Sequence, residues 1–248
     1  MNMDNYIDTH AHLNFADFEK DRFDVIENCL LNKVSMINVG TTFLDSKIAV
    51  SIAEKYASSV YASIGVHPLY AEKEKFEKTK FKELLKSKKV VAIGEIGLDY
   101  FYNISKEKQK ELFLEQAIFA KENDLPMIIH SRNAFLDVYN ILKKRKVKGV
   151  LHCFTGGLDD LKRFLDLGFY IGFNGMIFKT DLDEVIRKTP NERILIETDC
   201  PYLTPPLFYE RRNNPLGVKF VMEKINELKG EDITTVVYNN TLKLFKIC

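Results

Sequence analysis

The segment Tyr6-Ile7-Asp8-Thr9-His10-Ala11-His12 sets a pattern that recurs along the chain, an apolar run that ends in polar side chains. It predicts a buried strand with two histidines at its end. Side chains at positions i and i+2 of a strand point to the same side, about 7 Å apart along the chain. His10 and His12 could therefore converge on one metal ion beyond the strand end. Two half-buried histidines packed against a loop would show the same spacing, so this segment alone leaves both interpretations open.

Seven more apolar runs follow the first one, and helical patterns lie between successive runs. The runs are continuously apolar rather than alternating, which indicates strands buried on both faces and hence a parallel sheet. Eight such units in 248 residues predict an α/β fold, a (β/α)₈ TIM barrel formed by one domain over residues 1–248. A doubly wound open sheet is the alternative, but it would need an edge strand with a more polar face. The predicted strands after the first are 36–41, 60–66, 90–95, 126–130, 149–152, 169–174 and 194–199.

Several boundaries of the predicted helices and loops depend on weaker signals. A helix is predicted to begin at Asp17. The lysine- and glutamate-rich segment 72–89 predicts a solvated helix with Phe76, Phe81, Leu84 and Leu85 turned inward. Residues 98–103 are predicted to form a loop, followed by a helix that Ser105 caps.

The composition is that of an ordinary globular protein, with 46% hydrophobic and 29% charged residues. The formal net charge is +1, so any polyanion would have to be held by local charge. Four scattered cysteines without a Cys-x-x-Cys pair indicate no disulfide framework and fit a reducing compartment. The polar amino terminus predicts no signal peptide, and no apolar run approaches the length of a membrane span. We therefore expect a protein located in the cytoplasm, or in the nucleus, without membrane contact. The sequence does not determine the oligomeric state, and a monomer is our expectation.

All five histidines and two carboxylates lie at the carboxyl ends of predicted strands. They are His10, His12, His67, Glu95, His130, His152 and Asp199. In a (β/α)₈ barrel these ends surround one mouth, where active sites lie. Four of the histidines and the two carboxylates offer nitrogen and oxygen ligands suited to Zn²⁺, Mg²⁺ or Mn²⁺. Six ligands exceed the need of one tetrahedral site, so we predict two divalent ions with one bridging carboxylate.

Six motifs of the chain resemble those of the TatD-related DNases, and the match runs from Asp8 to the last helix. The motifs are 8–12 (DTHAH), 65–68 (GVHP), 92–100 (AIGEIGLDY), 130–132 (HSR), 152–156 (HCFTG) and 197–203 (ETDCPYL). The resemblance implies an amidohydrolase-like TIM barrel and metal-dependent DNA hydrolysis, often as a 3′-to-5′ exonuclease. It gives the ligand role to His10, His12, Glu95, His130, His152 and Asp199. The chain has Asn213-Asn214-Pro215 where the family usually has Asn-Glu-Pro, and the preceding loop, 208–212, also departs from the family pattern. These departures concern substrate contacts and not the metal site.

The positions of the candidate ligands suggest their roles. His10, His12, Glu95 and Asp199 are expected to form one metal site, and Glu95, His130 and His152 the second. Glu95 is then the bridge. Asp199 could also accept a proton from the attacking water, so Glu95 and Asp199 are the predicted catalytic residues.

Three further residues are candidate substrate contacts. Arg132 could bind phosphate oxygens, and Tyr100, with Phe101 and Tyr102, could stack on unpaired bases. His67 could contact a phosphate. A surface ion pair for Arg132, loop packing for the aromatic residues and a structural role for His67 stay open as alternatives. Arg211 and Arg212 could also help to bind DNA.

The combined prediction is a metal-dependent deoxyribonuclease that hydrolyses DNA phosphodiester bonds, as a 3′-5′ exonuclease that prefers single-stranded ends. One alternative is another hydrolase of the same barrel superfamily that acts on an aminoacyl ester, an amide or a phosphotriester, because a barrel fold does not determine its chemistry. Relatives of the phosphotriesterase and urease type place a modified lysine at or near strand four, where this chain has Glu95. A second alternative is a nucleic-acid-binding barrel without catalysis, against which the complete ligand set argues.

Overall fold

The computed structural model describes residues 6–206, 208–210 and 212–247. Within these ranges eight strands alternate with helices. The strands are β1 Tyr6–Ala11, β2 Val34–Val39, β3 Val60–Ile64, β4 Val90–Asp99, β5 Met127–Arg132, β6 Gly149–Leu151, β7 Tyr170–Phe173 and β8 Ile194–Ile196. The α-helices are α1 Arg22–Leu31, α2 Phe43–Ala53, α3 Lys78–Leu84, α4 Lys106–Glu122, α5 Phe135–Leu142, α6 Leu158–Asp166, α7 Asp183–Lys188, α8 Val218–Lys229 and α9 Thr234–Phe245. None of these helices is long and apolar enough to cross a membrane.

The eight strands form one parallel sheet in which each strand pairs with the next one along the chain. The sheet curls until its two ends meet. Ala11 pairs with Cys200 in a parallel bridge, and the N–H of Asp199 donates to the carbonyl of His10 at 2.8 Å. A doubly wound sheet would depart from chain order at a switch point, and this sheet does not. The predicted α/β class and (β/α)₈ barrel are therefore confirmed.

The interior of the barrel is an apolar cluster to which strands from all around the sheet contribute. Its strand residues include Ile7, Ile37, Val91, Ile128, Val150 and Leu195. Leu244 and Phe245 at the end of α9, with Ile247 just beyond, belong to the same cluster. The last helix thus closes the amino-terminal end of the barrel, while the helices pack on its outside through a larger apolar cluster. The polar strand ends lie at the opposite, open end.

The first helix starts later than the sequence pattern predicts. α1 begins at Arg22, and a short 3₁₀ turn, Ala16–Phe18, occupies the position around Asp17. The guanidinium of Arg22 donates to the carbonyls of Leu13 at 2.6 Å and Asn14 at 3.1 Å. The loop therefore has its own hydrogen-bond partners, and the prediction of a helix start at Asp17 is wrong.

The segment 72–89 is helical only in α3, so the prediction of one long solvated helix is wrong. Phe76 and Phe81 are buried as predicted, and Leu84 and Leu85 are half-buried against the core. Outside α3, however, the Glu74 carboxylate accepts the N–H of Phe43 at 2.7 Å, at the start of α2. Phe76 packs against Phe119 with ring centroids 5.1 Å apart. These tertiary contacts override the helix propensity of the lysine- and glutamate-rich sequence.

β4 is longer than the sequence pattern predicts. Leu98 and Asp99, predicted in a loop, continue the strand and pair with Ser131 and Arg132 of β5. This extension carries the Asp99 carboxylate to the mouth of the barrel. The predicted helix cap is confirmed, since the hydroxyl of Ser105 accepts the N–H of Lys108 at 3.3 Å.

Candidate metal centre

Seven side chains with metal-binding atoms meet at the carboxyl-terminal mouth of the barrel. They form three overlapping groups in which the potential ligand atoms lie within 4.8 Å of one another. The groups are His10, His12 and Asp199; His10, Glu95 and His152; and His67, Glu95 and His130. The structure therefore brings all six predicted ligands into one cluster and adds His67 to it.

Irregular strand pairing positions two members of this cluster. The register between β1 and β2 shifts between Asp8 and Ala11, which brackets His10. The register between β4 and β5 shifts between Ile93 and Ile96, which brackets Glu95. Such irregularities re-aim side chains and are frequent beside active sites. At both positions the side-chain direction is set by a local break in the ladder.

Asp199 reaches the cluster through an unusual backbone conformation. It follows the end of β8 and has a φ of 57°, in the left-handed region that non-glycine residues rarely adopt. Strained positions of this kind concentrate at functional sites. The N–H of Asp199 is held by the carbonyl of His10, so the end of β1 fixes this conformation.

The first group of potential ligands surrounds one shared space. The Nε2 atoms of His10 and His12 lie 3.1 Å apart. Asp199 Oδ1 is 3.8 Å from the first and 3.4 Å from the second. The Nδ1 of His12 lies 3.0 Å from the carbonyl of Val39, to which it can only donate, so a neutral His12 directs its lone pair into the group. Carboxylate oxygens and an imidazole lone pair that face one another are a fitting donor set for a divalent cation.

Glu95 lies between the groups and presents a different oxygen to each side. Its Oε2 is 3.4 Å from His10 Nε2, and its Oε1 is 2.9 Å from His130 Nδ1. The Oε1 atom also lies 3.7 Å from His152 Nε2. Burial alone would raise the pKa of this carboxyl, but His67 and His10 hold the pKa well below its usual range. Glu95 is therefore a buried carboxylate whose two oxygens face two sets of histidines.

Two carboxylates that the sequence analysis did not single out contact the second ring nitrogens of two histidines in the cluster. Asp99 Oδ2 lies 3.0 Å from His130 Nε2, and Glu197 Oε1 lies 2.7 Å from His152 Nδ1. Metal-binding histidines commonly use their second nitrogen in this way, which fixes the ring orientation. Both residues stand inside the motifs 92–100 and 197–203, so their sequence signal is proximity to a predicted ligand.

These carboxylates also change the protonation of the two histidines. Burial would lower the pKa of His130, but Asp99 and Glu95 raise it to about 8. Burial would likewise lower the pKa of His152, but Glu197 raises it to about 10. A cation that binds a ring nitrogen displaces any proton from it, so a raised pKa at these two histidines is expected to make their metal affinity depend on pH.

Asp8 has a structural role at the junction between β1 and β8. It is fully buried, and its carboxylate accepts the hydroxyl of Thr198 at 2.5 Å and the N–H of Thr198 at 2.9 Å. It also accepts the N–H of His10 at 3.1 Å. These bonds tie the segment that carries Asp199 to the segment that carries His10.

The hydrogen bonds of His67 favour a donor role. Its Nδ1 accepts the N–H of Leu69 at 3.2 Å, so a neutral ring carries its proton on Nε2. That atom lies 3.4 Å from Glu95 Oε1. A protonated Nε2 cannot bind a metal ion, but it can donate to a carboxylate or to a phosphate oxygen.

The candidate substrate contacts differ in how exposed their side chains are and in the partners they have within the protein. Tyr100 is half-buried, with its hydroxyl 2.7 Å from Asp137 and with Lys106 Nζ 4.5 Å from its ring centroid. Phe101 and Tyr102 are 57% and 47% exposed. The exposed Arg132 guanidinium lies 3.8 Å from the Phe101 ring centroid and makes no hydrogen bond within the described part of the chain. Phe101 and Tyr102 therefore offer more free ring surface than Tyr100.

In the loop that follows β8, the side chains of Arg212, Asn213 and Asn214 bond to other groups of the protein. Arg212 forms an ion pair of 2.6 Å with Asp21, and Arg211 lies outside the described residues. Asn213 donates to the carbonyl of Tyr202 at 2.6 Å. Asn214, in place of the usual glutamate, accepts the N–H of Leu216 at 2.9 Å and caps a short 3₁₀ turn. The described departures from the family pattern thus serve to order the loop.

Glu197→Gln is expected to lower the affinity for divalent ions about 10- to 100-fold, the usual cost of losing an outer partner of a ligand. The amide keeps the size of the side chain but removes the charge beside His152 Nδ1. Titration calorimetry with Mn²⁺ measures the effect. Glu115→Gln, an exposed position on α4, is the matched control. Equal affinity in the two variants would contradict an orienting role for Glu197.

The barrel and its cluster of histidines and carboxylates fit the class of metal-dependent hydrolases on a TIM barrel. The sequence matches the TatD related DNase family over residues 7–246. The chain belongs to this family, and the predicted resemblance is confirmed.

Individual relatives cover nearly the whole chain. The uncharacterized metal-dependent hydrolase YabD of Bacillus subtilis (strain 168) is 42% identical, over 97% of this chain and 98% of that protein. The 3′-5′ ssDNA/RNA exonuclease TatD of Erwinia amylovora is 34% identical, over 95% of this chain and 96% of its own. The crystal structure of YJJV, a TatD homolog from Escherichia coli K12, superposes with a TM-score of 0.91 at 32% identity and covers 99% of both chains.

Proposed function

We propose that the protein hydrolyses phosphodiester bonds of DNA with the help of two divalent ions, releasing nucleotides from single-stranded 3′ ends. The observation that carries this proposal is the exposed surface of Phe101, Tyr102 and Arg132 beside the ligand cluster. Arg132 pairs across the sheet with Asp99, which contacts His130. A surface that can bind both bases and phosphates therefore adjoins the metal centre.

The two ions, Zn²⁺, Mg²⁺ or Mn²⁺, would be held by the groups that Glu95 joins. His10, His12, Glu95 and Asp199 form the proposed first site, and Glu95, His130 and His152 the second. Divalent ions there would supply positive charge against the phosphoryl oxygens and would make a nearby water more acidic. The two orientations of the Glu95 oxygens support its assignment as the bridge.

Asp199 is the proposed acceptor for the proton of the attacking water. Its side chain is 19% exposed against 6% for Glu95, so it is the carboxylate of the two that faces the entering substrate. Burial would raise its pKa, but His12 and His152 lower it, which keeps the carboxylate ionised and able to take a proton. Nε2–H of His67 and the free guanidinium of Arg132 are the proposed donors to phosphate oxygens.

The preference for single-stranded ends follows from the aromatic surface. Phe101 and Tyr102 can each stack on a base only if that base is unpaired. A base in a duplex would first have to leave its partner. The Erwinia amylovora relative, named as a 3′-5′ ssDNA/RNA exonuclease, supports the same direction of action. Because the ligand cluster is complete within one chain, we propose that the monomer is active; the cytoplasmic or nuclear location stays a prediction from the sequence.

A 5′-labelled single-stranded oligonucleotide is expected to shorten stepwise from its 3′ side when the protein is supplied with Mg²⁺ or Mn²⁺. A blunt duplex should be degraded more slowly, and closed circles should stay intact. The products are resolved by size, with a chelator as the control that stops the reaction. RNA of the same sequence shows whether the activity is limited to DNA.

Two outcomes would contradict the proposal in different ways. Cleavage within closed circles would show an endonuclease and overturn the assigned direction. No cleavage of any nucleic acid with any divalent ion, alongside turnover of an aminoacyl ester or an amide, would identify the other hydrolase of this superfamily.

A further inference from the structure

Basic residues concentrate at the amino-terminal end of the barrel, opposite the mouth. The connection between α5 and β6, 143–148, contains five basic residues and no acidic one (KKRKVK). The connection between α3 and β4 contains three lysines in 86–89 (KSKK), again without an acidic residue. Because β4, β5 and β6 are neighbours in the sheet, both connections lie at the same end of adjacent strands.

Contacts around Asp124 join this region to the end of the chain. Asp124, between α4 and β5, forms an ion pair of 2.9 Å with Lys148 and a second ion pair with Lys246. Lys246 and Lys148 lower the pKa of Asp124 to about 2. One carboxylate thus faces two ammonium groups, and the cluster keeps a positive charge.

A cavity of about 490 Å³ lies within the same region. Its lining includes Tyr61, Lys88, Asn123, Asp124, Pro126 and Lys246. Lys89 Nζ lies 5.5 Å from the centroid of the Tyr61 ring. The cavity therefore combines lysines with an aromatic ring, and its apolar residues Val90 and Phe245 are buried.

Four lysines of this end are free to meet a partner. These lysines are exposed, and none forms an ion pair with another described residue: Lys88, Lys143, Lys144 and Lys146. The net charge of the whole chain is only +1, so a basic surface here implies that the rest of the molecule is correspondingly acidic. Charge separated in this way attracts a polyanion to one side.

We infer that this basic face, formed by Lys86–Lys89, Lys143–Lys148 and Lys246, binds the phosphate backbone of a nucleic acid as a second, non-catalytic contact. The choice of nucleic acid as the polyanion rests on the proposed function. A membrane surface would favour apolar side chains exposed among the lysines. In 86–89 and 143–148 the only apolar side chain is the half-buried Val147.

The basic face is too far from the metal centre to hold the bond that is cleaved. β4 begins at Val90 beside this face and ends at Asp99 in the mouth, a length of 10 residues. At about 3.3 Å per residue this is roughly 30 Å. A trinucleotide, with only two steps between its nucleotides, is too short to reach from the mouth to the basic face, whereas a long strand can span that distance. The contact therefore keeps a long substrate attached between successive cleavages.

The test compares two triple variants with the same change in charge. One carries Lys143→Glu, Lys144→Glu and Lys146→Glu. The control carries Lys33→Glu, Lys47→Glu and Lys188→Glu, three exposed lysines that lie outside the basic face, before β2, on α2 and at the end of α7, and that form no ion pair with another described residue. Binding of a hydrolysis-resistant phosphorothioate strand of about 40 nucleotides, far longer than the barrel, is measured by fluorescence anisotropy at several salt concentrations with Mg²⁺ present.

The first variant is expected to lose about tenfold or more in affinity, with a salt slope reduced by about 2, since each lost phosphate contact on a single strand removes about 0.7. Its hydrolysis of a trinucleotide should equal that of the parent. If the glutamate variant does not fold, as judged by circular dichroism, the corresponding glutamines should show a smaller loss of the same kind. Equal losses in both triple variants would overturn the inference. So would lost binding to phosphatidylserine vesicles with unchanged affinity for the strand.

The outcome separates this inference from the proposed function. If the phosphorothioate strand binds through the basic face but no unmodified strand is hydrolysed with any divalent ion, the inference stands and the nuclease proposal is removed. Normal hydrolysis with equal affinity in both triple variants would remove only the inference.

Discussion

Glu95→Gln is expected to lower turnover by more than the loss of one general acid or base does, which is about 10²–10⁴-fold. Glu95 Oε2 faces His10 and Oε1 faces His130, so a change at this one side chain disturbs both proposed metal sites. The amide replaces one carboxylate oxygen with an NH₂ group that can only donate, and it removes the negative charge. We therefore expect lost activity together with lost metal.

Metal analysis on the same samples decides what the loss of activity means. The parent is expected to bind close to two divalent ions per chain, and Glu95→Gln fewer, while Glu115→Gln on the exposed face of α4 should match the parent in both respects. Circular dichroism checks that the barrel is intact. A parent that takes up only one ion at saturation would contradict the two-ion proposal. A Glu95→Gln variant within a few-fold of the parental rate would show that Glu95 does not bridge.

The fold could be predicted because its signals are local. Each strand of a parallel barrel is buried on both faces, so runs such as 90–94 and 126–129 contain no charged or polar side chain and can be recognised without knowledge of their neighbours. The ends of these runs are local features as well. Residues such as His130 and His152 could thus be assigned to one mouth once the strand order was inferred.

The details of the site depend on contacts between distant parts of the chain. Glu197 and Asp199 stand two residues apart and would share one side of a regular strand. β8 ends at Ile196, however, and the left-handed conformation of Asp199 lets the two carboxylates contact different groups. Glu197 accepts the N–H of Cys153 at 2.7 Å, while Asp199 faces His12. No local pattern in the sequence predicts that division.

The same limit applies to the surface that meets the substrate. Tyr100, Phe101 and Tyr102 are equivalent candidates in the sequence. They differ in the structure because the Tyr100 hydroxyl donates to Asp137 on α5, whereas the rings of Phe101 and Tyr102 are exposed. The basic face is a similar case, since its lysines come from separate connections that only the barrel brings together.

Asp199→Asn is expected to lower turnover about 10²–10⁴-fold, the range for loss of a positioned proton acceptor. Asparagine tolerates the left-handed conformation that this position requires, so the fold should be spared. Its amide can still present an oxygen to a cation, but it cannot accept the proton of the attacking water. The second proposed site, made by Glu95, His130 and His152, does not contain Asp199 and should keep its ion.

The dependence of the Asp199→Asn rate on metal concentration separates its two proposed roles. If Asp199 were only a ligand, raising the Mn²⁺ concentration to saturation would restore the parental rate. If it accepts the proton, the rate should stay low at saturating Mn²⁺ even after the metal content has recovered. Asp159→Asn, at the exposed start of α6, controls for the change of charge. A variant with a full rate at saturation would place the proton acceptor elsewhere, and Glu95, whose side chain is only 6% exposed, would then have to serve from a more enclosed position.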